Sequence, residues 1–242
     1  MKKRNAFTLA EVLITLGIIG IVAAMTLPTI IQKHREKVTV AKVKKIYSTA
    51  SQAFMLAVED KGTPDLWNLI ANGNSVGAEN LAKVFAKYMK VIKFCGAKAG
   101  CLKSDMYKNL NGQSNNTDFN NNQAYSKMIL SDGAVIVFVV RSPDCSSNIG
   151  DTPQLKNVCG RLYIDINGGQ SPNQYGHDFF AFHITKKGII PAGTEADSDI
   201  LSFSSCNINS TGYGCAAWLI FNENMDYLHC NDLSWDGKHS CK

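Results

Sequence analysis

The first 94 residues contain no cysteine; all eight, Cys95, Cys101, Cys145, Cys159, Cys206, Cys215, Cys230 and Cys241, lie in the remainder. No two of them form a C-x-x-C pair, so a zinc ribbon and a thioredoxin-type redox motif have no support. The chain also lacks a P-loop, so any energy for moving or assembling it comes from another protein. The five histidines, His34, His177, His183, His229 and His239, stand beside no plausible nucleophile in a recognisable catalytic frame, and the reading is of a protein that is not an enzyme. No tandem repeat of fixed period is evident. A large excess of either charge is missing as well. The net charge of +5 sits largely in residues 2–4 and 33–45, so direct nucleic-acid binding is not expected.

What remains is a folded composition: 45% apolar and 19% charged over 242 residues, enough for one generous domain or two small ones. An even set of cysteines confined to one region reads as an oxidised domain outside the reducing cytosol. Eight cysteines allow 105 pairings. Each neighbouring pair brackets a loop rich in Gly, Asn or Ser, which favours Cys95 with Cys101, Cys145 with Cys159, Cys206 with Cys215, and Cys230 with Cys241. His229, Cys230, His239 and Cys241 also form a conceivable zinc set, but in an oxidising compartment a disulfide takes the two thiols.

The N-terminus is basic at Lys2, Lys3 and Arg4 and then apolar from Phe7 to Leu27, apart from one acid, Glu11. About 20 apolar residues suffice to cross a ~30 Å hydrocarbon core as a helix, and the basic flank holds the front end on the cytoplasmic side. Three readings compete: a secretory signal cut near residues 22–24, a plain anchor, and a leader cut ahead of the apolar run. Glu11 separates them. A carboxylate in such a segment costs on the order of 2.5–3.5 kcal/mol on insertion, so it needs a cationic partner. A cut just before Phe7 supplies one, a new α-amino group on another copy of the segment.

The order Ala6, Phe7, Thr8, Leu9, Ala10, Glu11, Val12, Leu13, after a basic leader and before an unbroken apolar run, closely resembles the class III leader of type IV pilins and type II secretion pseudopilins. The resemblance implies cleavage between Ala6 and Phe7 by a prepilin peptidase, N-methylation of Phe7, and assembly governed by Glu11. Pro28 stands where the apolar run meets polar chain. Ala6 replaces the Gly usual before the cut and is small enough to be accepted. The implied protein is a structural subunit of a type IV pilus or type II secretion pseudopilus, polymerised through its N-terminal helix. Its implied partners are the peptidase, copies of itself and other pilins or pseudopilins, an inner-membrane assembly platform with a separate ATPase, and membrane lipid. It would sit in the bacterial inner membrane as a single-pass protein with its globular part periplasmic, then in a periplasmic pseudopilus or an extracellular pilus. The rival reading is a membrane-anchored extracytoplasmic binding module that never polymerises.

The expected organisation is a leader at 1–6, an apolar transmembrane and assembly helix at 7–31, an amphipathic continuation at 32–62, and a globular domain at 63–242. The expected fold class is α+β, a long N-terminal helix packed on an antiparallel sheet. Val40, Val43, Tyr47, Ala50, Phe54 and Ala57 recur at spacings of three and four, one apolar stripe that ends before Gly62, Thr63 and Pro64. A second helix is expected over 78–93 and a hairpin over 127–140 with its turn at Asp132 and Gly133. Further strands are expected at 161–166, 179–184, 188–190, 216–222 and 225–228, and the Asn-rich stretch 109–122 reads as a mobile loop.

Residues 165–182 resemble a segment of pilin and pseudopilin globular domains, D-x-N-G followed by P-N, G, D and F-x-F. Its oxygen-bearing Asp165, Asn167 and Asp178 are a possible Ca²⁺ set, although the regular spacing of an EF-hand is missing. The competing reading is that these residues only build the turn, and no cofactor is required.

Overall fold

The computed structural model describes residues 8–70, 75–103 and 107–241. The chain divides into two compact units, residues 1–38 and 39–242. One helix, α1 (Leu9–Lys61), is shared between them and runs unbroken through Pro28. In the first unit every described residue from 8 to 35 is exposed. In the second the same helix becomes amphipathic: Val40, Val43, Ile46, Ala50, Ala53, Phe54 and Ala57 are buried on one face. The helix stops where Gly62 takes a positive φ of 75°, with its N–H on the Val58 carbonyl, and Pro64 follows two residues later.

Unit 39–242 is an α+β fold built on a six-stranded antiparallel meander: β1 (Val91–Gly96), β2 (Ser126–Leu130), β3 (Val135–Val140), β4 (Val158–Asp165), β5 (Phe179–Thr185) and β6 (Ile189–Pro191), in that spatial order. The β2–β3 turn is the expected Asp132-Gly133 pair, with Gly133 at φ 86°. Strands β3, β4 and β5 are buried along their whole length, because both faces of the sheet are covered. Ile136, Phe138, Leu162, Ile164, Phe180 and Phe182 face a core shared with α1, α2 (Ser75–Ala86) and α3 (Cys215–Asn222). Val135, Val137, Val139, Tyr163, Phe179 and Ala181 face a second core made with loop residues such as Tyr107, Phe119 and Tyr175. The edges differ from the middle. β1 pairs with β2 through two register shifts and leaves Ile92 exposed, while β6 is three residues long and ends in Pro191.

Four disulfides close short loops of this unit: Cys95–Cys101, Cys145–Cys159, Cys206–Cys215 and Cys230–Cys241, and no described cysteine is free.

Four expectations need correction. The helix expected over 78–93 starts earlier and ends at Ala86, and its second part is β1; Val91, Ile92 and Phe94 are strand formers, and pairing with β2 outweighs the helical periodicity. The segment 216–222 is not a strand but α3, and 225–228 is mostly a 3-10 turn (Asp226–Leu228). Six of the eight residues of α3 are buried, so no solvent face reveals its period. Ala216 and Ala217 favour helix, and Cys206 staples its first residue. The loop 109–122 is packed: Leu110, Phe119 and Asn120 are buried, and the Phe119 ring meets Tyr107, Tyr125, Tyr163 and Phe179. The buried Lys127 of β2 fastens this loop by donating from Nζ to the carbonyls of Asn120 (2.8 Å) and Ala97 (3.3 Å).

Candidate functional site

Two places carry the residues singled out above. The first is the start of α1. Thr8 donates its backbone N–H and its hydroxyl to Glu11 Oε2, both at 2.8 Å, and the Glu11 N–H donates to Thr8 Oγ1 at 3.2 Å. This is a reciprocal capping box, Thr at the cap and Glu three residues on, satisfying two donors that a helix otherwise leaves open. The sequence pattern T-x-x-E announces it, and reading Glu11 only as an acid in search of a cation missed it. Glu11 Oε1 accepts no hydrogen bond among the described residues. Thr15 and Thr26 turn their hydroxyls onto helix carbonyls, Thr15 onto those of Glu11 and Val12 and Thr26 onto that of Val22, so neither presents an unpaired donor along the apolar run. A Cβ added at Gly17 or Gly20 meets nothing within 4 Å, so this chain supplies no packing reason for either glycine. Ala6 and Phe7 lie outside the described residues.

Helix α1 is long and apolar enough to cross a membrane, and none of its most apolar 18-residue window is buried. Large apolar side chains from Leu9 to Ile31 are exposed throughout. A helix apolar on all sides has no solvent-facing stripe and needs lipid or other helices around it.

The second place is the loop between β4 and β5, where Asp165, Asn167 and Asp178 meet. Asp165 closes its own turn. Oδ1 accepts the backbone N–H groups of Asn167 (3.0 Å) and Gly168 (2.8 Å), and Oδ2 accepts Gly169 N–H (3.2 Å) and the Tyr107 hydroxyl (2.5 Å). Asp178 accepts Gln174 N–H at 2.6 Å, Asn173 N–H at 2.8 Å and Asn167 Nδ2 at 3.0 Å. Gly168 sits at φ 65° and approaches the backbone so closely that a Cβ there would lie 2.3 Å from the Gly133 carbonyl oxygen. Burial raises the pKa of both acids; for Asp178 it outweighs the amide bonds and carries the group to about 6.

Seven donors therefore hold the two carboxylates, and the side-chain oxygens of Asn167 and Asn173 are the buried atoms of this loop left without a partner. A hard cation of six to eight oxygens would compete with several of these bonds for the two carboxylates. No group of three or more His, Cys, Asp or Glu suited to a metal occurs among the described residues. The Cys230–Cys241 bridge removes both thiols from the zinc set considered above. One literal G-x-S-x-G run, residues 73–77, places Ser75 at the start of α2. Among the described residues the preceding element is the 3-10 turn Pro64–Leu66 and not the strand that a nucleophile elbow follows.

Residues 1–27 match the prokaryotic N-terminal methylation motif. With the apolar helix behind it, this is a class III prepilin-type leader, and the fold is that of a membrane-anchored, pilin-like protein. Residues 29–201, more than half of the chain, match the family of unknown function DUF6613, and the chain belongs to that family. No curated protein and no solved structure matches the chain.

Proposed function

We propose that this protein is a structural subunit of a type IV pilus or a type II secretion pseudopilus. A prepilin peptidase removes residues 1–6 between Ala6 and Phe7 and methylates the new N-terminus. Residues 7–31 then anchor the subunit in the inner membrane and later pack among the helices of neighbouring subunits. Residues 32–62 continue the helix, and residues 63–242 are displayed on the periplasmic side, in a pseudopilus or on an extracellular pilus. Copies of the chain, other pilins or pseudopilins, and an assembly platform driven by a separate ATPase are its partners.

The observation that carries this reading is the start of α1, where Glu11 stands in an otherwise apolar, exposed helix. The cap holds Oε2, which fixes the carboxylate in direction, and Oε1 remains open to the amino group of another subunit's Phe7. Between packed helices such a pair is screened far less than in water, and leaving one partner unpaired costs more than the pair contributes. Pairing therefore checks the register of an incoming subunit. Pro28 and the two glycines weaken the helix locally, which eases extraction from the bilayer.

The test is intact mass and N-terminal sequence of unreduced protein from membranes and sheared filaments, beside a Glu11→Gln strain. The expected chain begins at N-methylated Phe7, and filaments disappear in Glu11→Gln while the subunit stays in the membrane. A chain that starts at Met1, or filaments unaffected by the substitution, leaves the anchored binding module instead.

For the β4–β5 loop we propose a turn held by its own amides, with no resident cation. EDTA and millimolar Ca²⁺ should then give the same melting temperature, and a calcium-dependent rise would refute this.

A further inference from the structure

Beyond the helix and the turn, the sheet carries a polar cavity that neither uses. It has a volume of about 420 Å³ and is lined mainly by Arg141, Ser147, Asn148, Arg161, Ser198 and Asp199. We infer that it is a binding site for a small hydrophilic molecule bearing one carboxylate or phosphate group.

Around the cavity the acceptors are engaged within the chain while several donors are not. Asp199 spends Oδ1 on the Ile200 N–H (2.7 Å) and Oδ2 on the Arg161 guanidinium. Asn148 spends its oxygen on the Asn157 N–H (3.1 Å), which leaves its NH₂ group. Ser198 donates its hydroxyl to the Ile149 carbonyl at 2.9 Å. The carboxylate and amide acceptors around the cavity are thus engaged internally. What stays open is the whole Arg141 guanidinium, the remaining Arg161 N–H groups, the Asn148 amide and the Ser147 hydroxyl. Two guanidinium charges against one carboxylate leave a net charge of about +1, and paired N–H donors suit a carboxylate or phosphate.

The walls are fixed. The Cys145–Cys159 bridge ties the segment carrying Ser147 and Asn148 to β4, and Ile149, Leu155 and Val158 form a small core of their own beneath it. Arg161 is buried, its side chain only 7% exposed. Across the sheet its neighbour on β5 is His183, buried against Asp197 at 2.9 Å. Asp197 in turn accepts the backbone N–H of Asp199 at 3.1 Å, which sets the carboxylate that orients Arg161. A buried ion pair is weak evidence for stability, since its desolvation offsets its attraction. As a fixed platform beside a second, unpaired arginine it has a clear use in binding.

The test uses full-length protein in detergent micelles and isothermal titration with glucuronate, glucose 6-phosphate and uncharged glucose. At least one anionic sugar should bind saturably and glucose should not; which anion binds names the group the site takes. Arg141 is exposed and its side chain makes no bond to the protein, so Arg141→Gln should fold as the native chain does, which melting checks. It should weaken binding by about tenfold or more. Arg141→Lys should recover part of the loss, and added NaCl should weaken what remains. Saturable binding by neither anion, equal binding of glucose, or binding indifferent to Arg141→Gln would overturn the inference.

Discussion

Residues 9–31 and the strands β3 to β5 are both rich in apolar side chains, Ile and Val among them, yet the first are exposed throughout and the second are buried. The difference lies in what each apolar surface meets. The strands alternate, so each of their two faces finds a partner within the chain: helices on one side, tyrosine-rich and phenylalanine-rich loops on the other. The N-terminal stretch of α1 is apolar all round and every described residue from 8 to 35 is exposed, the state of a helix that needs lipid or other helices around it. Every cysteine and every tryptophan lies in the second unit.

The largest expected effect belongs to that second unit. Phe85 of α2 is fully buried and meets Trp67 and Phe138. Phe85→Ala should lower the unfolding free energy by about 3–5 kcal/mol, since the cavity adds to the lost transfer energy. Urea titration of micellar protein measures this, and the variant should still insert in membranes. If Phe85→Ala also abolished insertion, the two regions would not be independent.

Next in size is a staple. Cys145 and Cys159 are 14 residues apart, and opening their bridge by the paired change to Ser should cost about 3 kcal/mol by restoring freedom to the unfolded chain. The comparison sharpens if reductant destabilises the second unit by fluorescence and leaves the helicity of the first unchanged.

How far all this was legible in the sequence follows the same division. The leader, the long helix and its end at Gly62-Thr63-Pro64 could be read, because composition and one-dimensional period carry them. The hairpin could be read from Asp132-Gly133 and the bridges from their loops. α3 could not, since a buried apolar run shows neither period. β1 was hidden because its pairing with β2 spans some 30 residues of loop, a tertiary contact without a local sign. The capping box is legible as Thr8 to Glu11 in T-x-x-E, although the same acid in an apolar run also points to a distant cation. The Arg141 cavity had no sequence sign, because its walls come from 141–161 and 198–199 and meet only in the fold.

A third test uses pH. Asp178 titrates at about 6 in the fold and near 3.8 when unfolded, because burial disfavours its charge. A raised carboxyl pKa stabilises the fold fully below the unfolded value, and the contribution is lost as pH rises through about 6. The wild type should therefore lose on the order of 2 kcal/mol relative to Asp178→Asn between pH 4 and pH 7. Parallel pH profiles for the two proteins would mean that Asp178 is not buried as its hydrogen bonds indicate.

The smallest expected effect is the sharpest check on the comparison. Ile18 is 58% exposed in a segment where no described side chain is buried. Trp67, Trp218 and Trp235 all lie beyond residue 38, so tryptophan fluorescence reports the second unit alone. Ile18→Ala should move its urea midpoint by less than about 0.5 kcal/mol equivalent, as for a surface substitution remote from the core. The same change removes apolar area that lipid or a neighbouring helix would cover, so partition into vesicles should weaken. A shift above about 1 kcal/mol in the fluorescence transition would mean that residues 1–38 help to hold the second unit together, and the exposed face of α1 would then need a partner inside the chain.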